Sequence, residues 1–217
     1  MNEIKIYGER NTGTIYLEWL MNNNLDVKLL NDFTLGWKHR LAPENDELTA
    51  ETKDNTIFIC LVKNPYSWVY SMHKRPYKHE KLSKLTFHYF IRYSYGDYRN
   101  PVVMWNKKIT SYFELNNFVK RFHFIRYEDL LTDARNSIDI VANKFHLGRS
   151  SVWFTDIHQT LTNHHGILKQ KFRKEFYIKE EWINKFNFSD FEFINGQLDK
   201  NLMKMLNYSL VVVESGT

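Results

Sequence analysis

The chain has 217 residues, of which 43% are apolar, 16% aromatic and 25% charged, with 8 Gly, 4 Pro and a single Cys. That profile is globular; it excludes a disordered or collagenous chain, and the lone Cys60 excludes an internal disulfide or a cysteine-rich zinc site and fits a reducing compartment. A net charge of +5 suits an anionic ligand, a nucleic acid or a solvated surface equally well.

The first predicted element is a strand, because Ile4-Lys5-Ile6-Tyr7 alternates and ends on an aromatic residue. A loop, Gly8-Glu9-Arg10-Asn11-Thr12-Gly13-Thr14, leads into a helix whose Tyr16, Leu17, Leu20 and Met21 share one face and whose stop is Asn22-Asn23-Asn24. A second strand is expected over 27–30, and residues 41–56 read as a polar loop. The run Ile57-Phe58-Ile59-Cys60-Leu61-Val62 has strand length and no polar alternation, as a strand covered on both faces has. It is also the longest apolar run, and six residues cannot cross a bilayer, which takes roughly 20. The first residues lack the basic-then-apolar layout of a secretory leader, so the expected location is cytoplasmic. Asn64-Pro65 opens a helix with Pro in its first turn, and Trp105, Ile109, Tyr112 and Phe113 recur at helical spacing. An aromatic strand over 122–127 follows, then the helical stripes Ile138, Val141, Ala142, Phe145 and Leu198, Leu202, Met205, Leu206. Strands alternating with helices predict an α/β fold with a central, mostly parallel sheet flanked by helices.

The loop after the first strand carries the most chemistry. A strand–loop–helix unit aims free N–H groups and the positive end of the helix dipole into the loop. Gly13 permits close backbone approach, the Thr12 and Thr14 hydroxyls add donors, and Arg10 adds a fixed charge. This is a cradle for phosphate or sulfate; its bland alternative is a helix N-terminus capped by Thr. It is not a Walker A loop, which places Lys directly after its second Gly.

Here the chain resembles the sulfotransferase family, enzymes that move a sulfuryl group from 3′-phosphoadenosine 5′-phosphosulfate (PAPS) to a hydroxyl or amine. Arg10-Asn11-Thr12-Gly13-Thr14-Ile15-Tyr16 is similar to the family's 5′-phosphosulfate loop, with Asn11 in the basic position and the charge one place earlier, at Arg10. The family's second motif is a strand ending in Arg with a helical Ser eight residues on, together holding the 3′-phosphate. Here Lys63 takes the Arg position, keeping the charge but losing the bidentate fork, and Ser71 falls at the required spacing. Arg126-Tyr127-Glu128-Asp129-Leu130-Leu131 is similar to a third family segment, which implies that Tyr127 lies near the nucleotide. Glu128 and Asp129 suit capping and loop structure.

The resemblance also gives meaning to Gly36-Trp37-Lys38-His39. Family members place a Lys and a His at a strand end in this interval. A neutral imidazole is the natural base for an acceptor hydroxyl, and a Lys can neutralise charge on the leaving group. His39 is the expected base, with Lys38 and Arg10 as cationic partners. Because Lys38 and His39 are adjacent, an extended strand would turn them to opposite sides. The basic run Lys169-Gln170-Lys171-Phe172-Arg173-Lys174 sits where the family closes a basic loop over the 3′-phosphate, so Lys171, Arg173 and Lys174 are further expected ligands. No metal is expected, since no His pair has H-E-x-x-H spacing and a sulfuryl group carries less charge than a phosphoryl group.

The resemblance therefore implies one domain of a P-loop-like sulfotransferase fold, with a nucleotide-binding core over about 4–147 and a closing segment over about 148–210. It implies PAPS as co-substrate, a small-molecule or glycan acceptor and no nucleic-acid partner; the oligomeric state stays open. Residues 73–105, rich in Tyr, His and Phe, are the expected acceptor wall. Two other readings stand beside it: a P-loop kinase using ATP and Mg²⁺, and a non-enzymatic basic module for nucleic acid or anionic glycan.

Overall fold

The computed structural model describes residues 1–77, 80–157, 160–162, 169–171 and 173–212. In chain order, β1 (Asn2–Tyr7), α1 (Thr14–Asn24) and β2 (Val27–Leu29) form the first unit. A single 3₁₀ turn (Asn45–Glu47) and α2 (Ala50–Asn55) lead to β3 (Ile57–Val62) and α3 (Pro65–Lys74). The short turns α4 (Glu80–Ser83) and α5 (Phe87–Phe90) precede α6 (Pro101–Leu115), β4 (Phe122–Arg126), α7 (Tyr127–Thr132) and α8 (Ala134–Phe145). A small antiparallel pair, β5 (Thr160–Thr162) and β6 (Lys169–Lys171), is followed by α9 (Lys174–Ile178), a 3₁₀ turn (Glu181–Lys185), α10 (Phe188–Gln197) and α11 (Lys200–Met205).

β1 to β4 form one sheet of order β2-β1-β3-β4, and every pairing in it is parallel. The pleat sorts the side chains. Ile4, Ile6, Ile57, Ile59 and Leu61 face α1, α7 and α8, packing with Leu17, Leu20, Leu131 and Ile138. Tyr7, Phe58, Cys60 and Val62 face the other way, onto Trp68 and Met72 of α3 and Trp105 and Tyr112 of α6. Covering both faces is why β3 has no polar residue, and all six of its side chains are buried. Since the strands are parallel, the segments after β1, β3 and β4 emerge at one edge, where open α/β sheets bind ligands.

Three sequence expectations are corrected. Residues 41–56 contain a 3₁₀ turn and α2, which the side chain of Thr49 caps. Neither buries a side chain, so there was no apolar period to read. The aromatic strand ends at Arg126, and Tyr127 opens α7. The stripe over 198–206 is broken: Leu198 is extended and Asp199 caps α11, so Met203 is buried while Met205 is 56% exposed.

Candidate functional site

The loop after β1 curls because Asn11 and Gly13 both adopt positive φ, +63° and +94°. Gly13 is required there. A Cβ would stand 2.4 Å from Cε2 of Tyr127, whose ring closes over the loop. The loop is tied from several sides: the Trp68 indole donates to the Arg10 carbonyl at 2.9 Å, and the Asn11 amide reaches Met72 Sδ and the Arg75 carbonyl. Thr12 donates its hydroxyl to the Glu9 carbonyl at 2.5 Å, so it shapes the loop rather than presenting a free donor. Tyr16 turns into the core and donates to Asp156 at 2.6 Å. The first N–H groups of α1, from Thr14, Ile15 and Tyr16, have no intrahelical acceptor.

Lys63 and Ser71 meet. The Lys63 ammonium donates to the Ser71 hydroxyl at 2.9 Å and to the Asn11 carbonyl at 3.3 Å, joining β3 and α3 to the first loop. It lies 4.8 Å from the centre of the Tyr127 ring and 3.7 Å from that of Tyr177. Burial pulls the Lys63 pKa down, and Glu128 opposes that shift. Glu128 accepts from the Asn64 N–H at 3.0 Å and the Tyr208 hydroxyl at 2.7 Å, while Asp129 pairs with Arg126, so both acidic residues have structural partners. The three motif segments therefore converge on one ammonium.

Among the described residues of the C-terminal segment, Tyr177 reaches this centre: its hydroxyl lies 3.1 Å from Ser71 Oγ. Arg173 is exposed and stacks on Phe176, and Lys174, which opens α9, is half-buried. Lys171 ends β6, and its side chain lies outside the described residues. Sequence reasoning passed over Tyr177; an aromatic at i+3 from Lys174 was the only local signal.

His39 sits at the same sheet edge, with Nδ1 2.5 Å from the Gly8 carbonyl. That bond fixes the tautomer, since Nδ1 must carry the proton and Nε2 is left as an acceptor. Burial, with smaller contributions from Lys38 and Arg10, lowers its pKa to about 4, against the upward pull of the Gly8 bond and Asp32. The ring meets Trp37 edge-on at 4.9 Å. Arg10 is sandwiched between aromatic faces, 4.6 Å from the centre of Trp37 and 3.7 Å from that of Tyr77. Lys38 is not brought to this cluster: its ammonium pairs with Glu18 of α1 at 2.8 Å. A buried ion pair absent from the sequence reading, Glu9 with Lys108 at 2.9 Å, braces the loop from α6, and Lys108 also donates to the His39 carbonyl. Among the described residues no group of three or more His, Cys, Asp or Glu is placed to hold a metal ion, and no helix is long and apolar enough to cross a membrane.

The chain is similar in structure to the crystal structure of mouse sulfotransferase SULT7A1 complexed with PAP, with a TM-score of 0.63 at 15% identity over 96% of this chain and 89% of that one. A sulfotransferase domain from the curacin biosynthetic pathway matches with a TM-score of 0.45 at 18% identity, over 85% of this chain and 63% of that one. Retinol dehydratase in complex with androsterone and inactive cofactor PAP matches at 0.37 and 13%, over 97% and 70%. The first similarity establishes a sulfotransferase fold. No protein-family model and no curated protein sequence matches the chain.

Proposed function

We propose that the protein transfers a sulfuryl group from PAPS to a hydroxyl or amine of a small-molecule or glycan acceptor, releasing PAP (adenosine 3′,5′-bisphosphate). The observation that carries this reading is the Lys63–Ser71 contact at 2.9 Å, buried against the loop after β1. A cation and a hydroxyl at the family's spacing meet beside a loop whose Gly13 is held under Tyr127. An ammonium and the free N–H groups of a helix start suit a bisphosphate, and the Ser71 hydroxyl, which donates to the Ser67 carbonyl at 2.8 Å, would turn its proton to join them.

In this reading the nucleotide-binding core spans 4–147 and the segment 148–210 closes over it within one domain. Lys63 and Ser71 hold the 3′-phosphate, with the Tyr177 hydroxyl at the same point and Lys171, Arg173 and Lys174 as outer basic contacts. The main chain of Thr12 to Tyr16, with Arg10, holds the 5′ end. PAPS supplies the sulfuryl group, which an acceptor oxygen attacks in line. His39 takes the acceptor proton at Nε2, because Nδ1 is committed to Gly8. Its low pKa keeps the imidazole neutral at pH 7, ready to accept. Lys38, paired with Glu18, anchors the His39 segment to α1.

Thermal denaturation with PAP and, separately, with ATP and Mg²⁺ tests the reading. Ligand at a hundredfold its Kd stabilises by about 2.7 kcal/mol. PAP should raise Tm and ATP with Mg²⁺ should not. The reverse result would replace the sulfotransferase reading with a kinase, and response to neither, alongside binding of sulfated glycan, with a binding module.

A further inference from the structure

β1 carries a lysine inside a buried strand. Ile4 and Ile6 face one side of the sheet, so Lys5 and Tyr7 share the other. Lys5 is 1% exposed, and its ammonium has no carboxylate within ion-pairing distance among the described residues. Its three protons go to three main-chain carbonyls, of Asn31 at 2.8 Å, Thr34 at 2.8 Å and Gly36 at 2.6 Å. An ammonium has three donors, so the set is complete. Two residues on, the Tyr7 hydroxyl donates to the Leu35 carbonyl at 2.6 Å. Four carbonyls of one six-residue segment are thus gripped by two side chains of one strand.

The segment offers its carbonyls because it turns sharply, with Leu35 at φ +61° and Gly36 at φ +80°. The next residues are Trp37, Lys38 and His39. There the grip passes to the main chain of Gly8, whose N–H donates to the Lys38 carbonyl at 3.0 Å and whose carbonyl meets His39 Nδ1. Lys5 of β1 takes the carbonyls of 31, 34 and 36, Tyr7 takes that of 35 between them, and Gly8, just past the strand, meets 38–39. The segment has no helix or strand of its own to hold the imidazole, so these contacts, together with Asp32 on the Lys38 N–H, the Lys38–Glu18 pair and Lys108 on the His39 carbonyl, set where it stands.

We infer that Lys5 and Tyr7 are positioning residues that hold His39 in the orientation and tautomer a general base needs. This deepens the proposed reading and rests on it for the catalytic consequence, though not for the structural one. The charges that act on the imidazole are Lys38, Arg10 and Asp32, with Lys108 on the His39 carbonyl and the Trp37 ring at its edge; Lys5 also acts on Asp32 and Lys38, so Tyr7→Phe, which leaves every charge in place, is the cleaner variant.

The test follows the His39 ring nitrogens by ¹⁵N NMR across pH 3.5–8 in wild type, Lys5→Met and Tyr7→Phe, together with PAP affinity and kcat. In wild type the Nδ1–H form should persist down to about pH 4. In Lys5→Met the titration should move up toward 6.5 and the Nε2–H form should appear. The kcat at pH 7 should fall at least tenfold, with PAP affinity within twofold. Tyr7→Phe keeps the ring packed between Phe58 and Tyr112 and loses only the bond to Leu35, so a smaller change in the same direction is expected; it decides the matter should Lys5→Met not fold. An unchanged His39 titration and tautomer in the folded variants overturns the inference. Absence of PAP binding and turnover in wild type would instead sink the sulfotransferase reading, leaving the NMR result to judge Lys5 and Tyr7 by itself.

Discussion

The Lys63 ammonium and the Ser71 hydroxyl, eight residues apart across a strand-to-helix turn, lie at 2.9 Å with the Tyr177 hydroxyl 3.1 Å beyond. Replacing Lys63 by Met keeps the stem that packs between Tyr127 and Tyr177 and removes the charge. A charge-assisted hydrogen bond is worth about 1.5–3 kcal/mol, so PAP affinity should fall roughly tenfold to a hundredfold. Calorimetric titration of the folded variant checks this, and affinity within twofold of wild type takes Lys63 out of the site.

The same ammonium makes PAP binding pH-dependent. Burial lowers the Lys63 pKa in the free protein, and a bound phosphate dianion raises it again. Between those two values binding takes up a proton, so affinity should weaken as pH rises. The window to measure is pH 7.5–9.5, above the phosphate's own titration. Calorimetry in buffers of different ionisation enthalpy should register the uptake, and Lys63→Met should abolish it.

His39→Ala should lower kcat by roughly 10²–10⁴-fold with PAP affinity little changed, the scale of general-base loss. Because burial holds the wild-type imidazole at about 4 instead of 6.5, the rate should stay flat between pH 5.5 and 7. An acid limb centred near 6.5 would point to a different base.

Gly13→Ala should destabilise the fold through two separable effects. A left-handed φ costs an L-residue roughly 1–2 kcal/mol, and the new Cβ meets Tyr127 Cε2 at 2.4 Å. Adding Tyr127→Ala removes the ring and with it the clash, leaving the backbone strain. Urea unfolding of the two single variants and the double variant should give a loss smaller than the sum.

Acid should destabilise the protein through two half-buried histidines. Burial lowers both His39 and His123 to about 4, the latter helped by Lys144. Between 4 and 6.5 the unfolded chain binds these protons and the folded chain does not. Stability is therefore full above 6.5 and lost as pH falls through that window, by at most about 1.4 kcal/mol per pH unit for each imidazole. Urea titrations at pH 7 and 4.5 measure the loss, and His123→Gln should reduce it.

The strand run of β3, the Pro-opened helix after it and the spacing of Lys63 to Ser71 were readable in the sequence, because each depends on residues within one turn or strand of one another. The same locality made the loop at Gly13 and the histidine at position 39 visible as residue types. What tertiary structure alone decided is which partner each charge took. Lys38 went to Glu18, 20 residues away, Lys5 to carbonyls 26 to 31 residues on, and Ser71 to Tyr177 at a distance of 106. No period or motif spans such separations. Desolvation follows from the same long-range packing, so a buried lysine and a histidine held neutral look, in the sequence, like any other lysine and histidine. Local spacing sets which groups arrive at the sheet edge; the packing of distant segments sets their charge, orientation and reach.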